Sequence, residues 1–484
     1  MKQQPDNDLS LTNPSRRNFL IATSATIGAS VLSTTKAANA GPISPAGPAS
    51  KYIPKIKAAF VRREGEYGML WPGAIYDGEA ALKNYTEQIQ RAAKDLAIEI
   101  DMQTKPIYSL EEAERWVEQA KAHKPDGLFV VLLDRQQHSW PSAYAAVESG
   151  IPAVVFAPIG AAFTTNTWKV AEENKCFICS TDDFSQAASG LKMLAVNAKL
   201  REMRFVVIKG NERKDEELLH FGTKLRYVPA SSFLEEYNQI PVTDEIRQIA
   251  AEYMANATRI AGPTEQDVIN GVKSFAVARN ILEREEADGI TMDCLGALGK
   301  SKVSLPCISW SLMLDHGIPA ACEADLGACI THALVQNLFD RPGFQQDPVP
   351  ETAKECLIGA HCTCPTRLNG LARPPEPYHL SYHHGKRDAV PVPKWKIGQR
   401  MTSADVLLSY DPEKPPQMII SSGMVYENIS VPPAGGCVVS VMVKLDNVTD
   451  YLGYPGFHQI FFYGDFKKEL RNYCKLFGIE PVVV

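Results

Sequence analysis

The chain has 484 residues, 45% of them hydrophobic and 22% charged, with a formal net charge of −6. That length exceeds a comfortable single core and predicts two or three domains. The slightly acidic balance gives no reason to expect nucleic acid or an anionic membrane as partner, and no run beyond the first 40 residues reaches the roughly 18 to 20 apolar residues of a spanning helix.

The first 40 residues stand apart. "SRRNFL" (Ser15 to Leu20) sets paired arginines before the apolar stretch "IATSATIGASVL", which ends at "ANA" before Gly41. This pattern predicts a twin-arginine signal cut after Ala40, with the twin-arginine export machinery as partner and a periplasmic or other extracytoplasmic destination. The eleven cysteines are an odd, scattered set that does not read as a disulfide framework. "CFIC" (Cys176 to Cys179) is a lone C-x-x-C with no second pair at zinc-ribbon spacing, which favours a partly buried loop over a metal or redox site.

Along the mature chain, "KIKAAFVRR" reads as a strand and "GEAALKNYTEQIQRAAKDLAI" as a helix. "LEEAERWVEQAKAH" is a second helix, "DGLFVVLLD" a buried strand, "SAYAAVESG" a third helix and "IPAVVFA" another strand. The alternation predicts a parallel sheet flanked by helices. The phrase "PDGLFVVLLD...ESGIPAVVFA" resembles sugar-binding Rossmann-like domains of the periplasmic type.

A second set follows, with a helix near 183–198, the strand "MRFVVIKG", helices at 242–256 and 265–286, and the strand "DGITMDC". Beyond about residue 350 the texture becomes Pro-rich and strand-like, with little helix until Lys467. The predicted fold class is therefore α/β: two Rossmann-like α/β domains followed by a mostly β C-terminal domain. The expected boundaries are 1–40 for the signal, 41–170 and 171–345 for the α/β domains, and 346–484 for the β domain.

Two nucleotide motifs are excluded. "GALGKS" (Gly296 to Ser301) has the end of a P-loop, but Cys294 stands where its first glycine belongs. No G-x-G-x-x-G opens a βα unit, so a nicotinamide or flavin dehydrogenase is not supported.

Four residues carry the chemical reading. Glu323 and Asp325 follow the apolar run "GIPAAC" and precede a helix; Asp325 fits a helix cap, whereas Glu323 sits on the strand side, where a site carboxylate belongs. Asp347 lies in "GFQQDPV", a loop acid before proline when taken alone. His361 ends the apolar strand of "CLIGAHCTCPTRL", and His458 follows the glycine-rich turn of "GYPGFHQIFFYGD"; either histidine alone reads as a packed core residue. Together, two carboxylates and two imidazoles form a coherent ligand set for a divalent first-row ion such as manganese. Cys362 and Cys364 cannot both join His361, because alternate strand positions face opposite ways. "HLSYHHGKR" reads first as a solvated basic loop, with sugar contact by His383 and His384 as its functional reading.

The order of "CEADLGACITHAL", an acid 24 residues after Glu323, "IGAHCTCP" and a late "GFHQIFFYGD" resembles the L-fucose isomerase and L-arabinose isomerase superfamily, with motif-level support between about 319 and 465. The resemblance implies that Glu323 and Asp347 are metal ligands and acid/base catalysts, that His361 and His458 complete the Mn2+ site, and that the chain is a homo-oligomer. It implies an aldose–ketose isomerase, an intramolecular oxidoreductase that moves a proton between adjacent sugar carbons through an enediol. The alternative is an exported, non-catalytic sugar-binding protein on an isomerase scaffold; a third reading is an exported lyase or epimerase using the same metal. Products separate the enzymes from one another, and only an enzyme requires both Glu323 and Asp347.

Overall fold

A computed structural model describes residues 45–65, 76–135, 138–173, 175–301, 303–383, 387–431 and 437–484. The signal expected in residues 1–40 and the site residue His384 lie outside the described residues.

The first sheet is parallel throughout, in the order Glu99–Met102, Lys55–Val61, Gly127–Leu132, Ala153–Ala157, Cys176–Ser180. Its central strands are unbroken apolar runs because helices cover both faces, and every residue of Gly127–Leu132 is buried. The covering helices start where the sequence offers caps. Asp77 accepts from the amides of Glu79 and Ala80 before Gly78–Leu96, and Ser109 accepts from that of Glu112 before Leu110–His123. Cys176 and Cys179 belong to a strand, not a loop, and are packed into different core clusters.

The second sheet runs Ala320–Cys322, Gly289–Met292, Arg204–Ile208 and Lys224–Val228 in parallel, with Lys214–Glu217 antiparallel at one edge. That edge strand is "KDEE", fully exposed, and its charges discourage pairing with another chain.

From Phe344 onward the main sheet is antiparallel, apart from Glu480–Val483, which pairs parallel to Gln417–Asn428. Arg400–Leu407, Gln459–Tyr463, Phe344–Glu351, Cys356–His361, Val439–Leu445 and Gln417–Asn428 pair in that order, and Gln417–Asn428 pairs again with Arg400–Leu407. The ring of pairings is closed, so these six strands form a barrel without free edges. Phe344, Trp395, Val441, Phe461 and Tyr463 are among the residues of the core cluster these strands build. A second, larger core runs from Ile56 and Phe129 through Leu194 and Val207 to Val406 and Ile460. It joins the parallel sheets to the barrel wall, and the described residues belong to one compact unit. The fold is thus mixed α/β with parallel Rossmann-like sheets and an antiparallel C-terminal barrel. Among the described residues no helix is long and apolar enough to cross a membrane.

Candidate metal centre

The strand Ala320–Cys322 hands the chain directly to a tight turn. Glu323 and Ala324 both have left-handed backbones, at φ 62° and 56°. The Ala324 amide donates to Met292 O at 3.0 Å and the Asp325 amide to Cys322 O at 3.2 Å. A left-handed conformation costs a non-glycine residue about 1–2 kcal/mol, so two in succession persist only where the surroundings enforce them, a condition that concentrates at functional sites. The turn leaves the Glu323 side chain 40% exposed, at the C-terminal end of the strand.

The barrel supplies the remaining groups. His361 is the last residue of Cys356–His361 and lies across from Val439; Asp347 lies across from Ala360. Asp347 therefore sits within a strand rather than in the loop its proline neighbour suggested. His458 immediately precedes Gln459–Tyr463, after a turn whose Gly456 has φ 85°. A Cβ at Gly456 would lie 3.0 Å from both Asp405 Oδ2 and Gln459 Nε2 and 2.7 Å from Ile419 Cδ1, so the approach that places His458 requires glycine.

These groups converge. His458 Nε2 is 3.5 Å from Glu323 Oε2 and 3.2 Å from Asp347 Oδ1, and His361 Nε2 is 3.9 Å from Glu323 Oε1. Ligand atoms of Glu323, His361 and His458 all lie within 4.8 Å of one another. Donors bound at about 2.0–2.2 Å to one ion stand roughly 3–4 Å apart, so this spacing suits a shared cation. Asp347 touches the trio through His458 but is not among the three. His361 and His458 are 4% and 6% exposed, and His361 Nδ1, His458 Nε2 and Asp347 Oδ1 are buried without a hydrogen-bond partner. Buried orphaned polar atoms are costly unless something satisfies them, and a bound cation facing Nε2 and Oδ1 would do so.

The charge states suit that role. Burial holds the His361 imidazole down to about 4, against the pull of Asp347, so its ring is neutral and able to ligate. Burial also opposes charge on His458, but the hydrogen bond to Asp325 and the negative charges of Asp325 and Asp347 outweigh it and raise that group to about 10. A cation would take the place of the proton on Nε2.

Asp325 is the functional residue that sequence reasoning left as a cap. It is a cap: Oδ1 accepts from the Ala328 amide at 2.9 Å, at the start of Leu326–Phe339. Its Oδ2 also accepts from His458 Nδ1 at 2.8 Å, the carboxylate–imidazole arrangement that orients a metal-binding histidine. Burial pushes the Asp325 pKa up, but the contact with His458 and the helix amides outweigh it and hold the carboxyl below its usual range. The pair Cys362 and Cys364 stays out of the trio: Cys364 is packed in the barrel core, and the Cys362 thiol meets Cys437. His383 ends Tyr378–His383, 4% exposed, in the small sheet with Arg387–Pro393 and Ile260–Ala261, and is not among the convergent ligands.

No family model and no curated protein matches this chain. Solved structures similar to it are transporter components. A solute-binding protein of Burkholderia multivorans, with an unknown ligand drawn as α-D-erythrofuranose, is 14% identical over 59% of this chain and 93% of its own, with a TM-score of 0.19. A periplasmic solute-binding protein of Actinobacillus succinogenes 130z with bound D-allose is 14% identical over 59% and 91%, also at 0.19. A sugar-binding protein of a Bacillus halodurans sugar transporter is 15% identical over 62% and 91%, at 0.17. Likeness at that level carries no argument about ligand or mechanism.

The comparisons do correct the isomerase expectation. No family model and no curated protein supports the resemblance, and the three solved structures just described are solute-binding or sugar-binding proteins, none of them a fucose or arabinose isomerase. Membership of that superfamily, aldose–ketose isomerase activity and the manganese isomerase description are withdrawn. The physical reason is that a few short motifs identify donor atoms and not a reaction. Two acids and two histidines hold a cation whether or not a proton is then moved.

Proposed function

We propose that the protein is an extracytoplasmic, non-catalytic binding protein for a small sugar, which it holds through a divalent cation seated by Glu323, Asp347, His361 and His458. The observation that carries this reading is the convergence of Glu323, His361 and His458 ligand atoms within 4.8 Å, with buried, unsatisfied Nε2 and Oδ1 atoms facing the same point. A cation with open positions chelates adjacent sugar hydroxyls, and neither hydroxyl then has to be deprotonated. In this reading residues 41–170 and 171–345 are two Rossmann-like domains, 346–484 completes the site, and the twin-arginine signal delivers the folded protein. In this reading His383 belongs to the sugar side of the site.

Cobalt tests the reading, because its visible spectrum reports both ligand set and coordination change. The purified, metal-stripped protein titrated with Co2+ is expected to bind one ion per chain, and neutral aldoses and ketoses are expected to shift its bands. Glu323→Gln and His361→Ala are expected to abolish the spectrum. Absence of a cobalt spectrum, or bands that no sugar moves, would overturn the reading.

A further inference from the structure

The imidazole of His458 has two sides. Nε2 faces Glu323 and Asp347, while Nδ1 is bonded to Asp325, and beyond Asp325 opens a second cavity of about 490 Å3. That volume falls within the roughly 300–1,000 Å3 of small-molecule sites. Lys209, Asp325, Asp405, Tyr410, Phe457 and His458 are among the polar and aromatic groups that line it.

Two of these are large rings left in water: Tyr410 is 72% exposed and Phe457 is 61% exposed. Phe457 is not disordered in direction by that exposure, since its ring lies 4.5 Å from the His458 ring at 39°. Beneath them Asp405 is 5% exposed, held by the Phe457 amide and opening on the cavity. A buried acceptor below exposed aromatic faces matches a ligand with an apolar face and a polar rim.

The charges narrow the ligand further. Asp325 has both oxygens engaged, one by the Ala328 amide and one by His458. That leaves Asp405 as an acceptor and Lys209 as a donor. An anion would meet the carboxyls of Asp325 and Asp405, and a cation would meet Lys209 and the imidazole of His458. A neutral polyhydroxylated ring meets neither penalty and uses both groups.

We infer that this cavity is a second sugar subsite, which holds a neutral pyranose or furanose against Tyr410 and Phe457 with its hydroxyls on Asp405 and Lys209. The subsite goes beyond the metal-centred reading, because it needs no cation.

Saturation-transfer NMR on the metal-stripped, full-length protein separates the two. With D-glucose, D-galactose, D-ribose and D-fructose as probes, at least one is expected to bind without metal. Tyr410→Ala and Phe457→Ala should each weaken that binding about 3- to 10-fold, the range for loss of one aromatic contact. Both rings are exposed, and thermal unfolding of each variant is expected to match the parent. The inference is overturned if no probe binds without metal, or if the double aromatic variant binds as the parent does. Displacement of the sugar by phosphate or by tetramethylammonium would overturn the assignment to neutral ligands.

Discussion

Glu323 and the pair His361 and His458 reach the same point from backbones of opposite character. The histidines end or precede strands of a closed barrel and are 4% and 6% exposed, whereas Glu323 rides a left-handed turn with 40% of its side chain in water. On the barrel side, position is enforced by packing and hydrogen-bonded register. On the turn side it is enforced by two short backbone hydrogen bonds that hold an unfavourable conformation. A site built this way has one fixed wall and one ligand that can adjust, and the two halves should fail differently when disturbed.

The largest effect is expected from the fixed wall. Phe461 is fully buried and pairs across the barrel with Phe344 on one side and Ser403 on the other. Phe461→Ala should cost about 3–5 kcal/mol of stability, seen as a lowered denaturation midpoint, and should weaken metal binding by displacing His458 three residues away. Equal midpoints for variant and parent would mean that the barrel does not fix that wall.

The next effect is a pH dependence. Burial, helped by the charge of Asp325, raises the Asp405 carboxyl from 3.8 to about 7, against the Phe457 amide and His458. The folded state then binds more protons than the unfolded state between those values. The stability associated with this proton is present below pH 4 and is lost as pH rises towards 7, by roughly 3–4 kcal/mol. Asp405→Asn keeps an acceptor for the Phe457 amide and removes the titration. Its stability relative to the parent should climb from pH 4 to 7 and level off above. Parallel stability–pH curves would count against it.

Asp325→Asn tests how the fixed wall is aimed. Asparagine still caps Leu326–Phe339, but the carboxylate that orients His458 and favours its charge is gone, so stability at neutral pH should fall as well. Metal affinity should fall about 10- to 100-fold, measured by competition with a chelator. Unchanged affinity would reduce Asp325 to a cap.

Legibility in the sequence followed the same division. Gly127–Leu132 and Ala153–Ala157 could be read because strands covered on both faces must be apolar throughout. Barrel closure could not, since it depends on Gln459–Tyr463 inserting between Arg400–Leu407 and Phe344–Glu351, strands far from it in sequence that no local pattern specifies. Asp347 read as a loop acid because Pro348 follows it. Pairing with Gln459–Tyr463, however, covers only Phe344 to Gln346, so Pro348 and Pro350 sit where that side of the strand is open. Glu323, His361 and His458 were visible as polar residues at the ends of apolar runs. The second task of Asp325 was hidden, because a cap explains an acid before a helix completely. Asp405 and the exposed rings of Tyr410 and Phe457 carried no signal until the turn at Gly456 brought them together.

The turn side offers the smallest and sharpest test. Ala324 holds φ 56° beside Glu323 without contributing a ligand atom, so its conformation can be relieved without touching the site chemistry. Glycine adopts that conformation freely, which removes about 1–2 kcal/mol of strain, while the added freedom of the unfolded chain takes back about 0.5–1 kcal/mol. Ala324→Gly should therefore stabilise the protein by up to about 1 kcal/mol. If the barrel wall positions the cation and Glu323 merely adjusts to it, metal affinity should stay within about twofold of the parent. If affinity instead falls as stability rises, the strained turn is itself a positioning element, and the two halves of the site are equally rigid despite their different backbones.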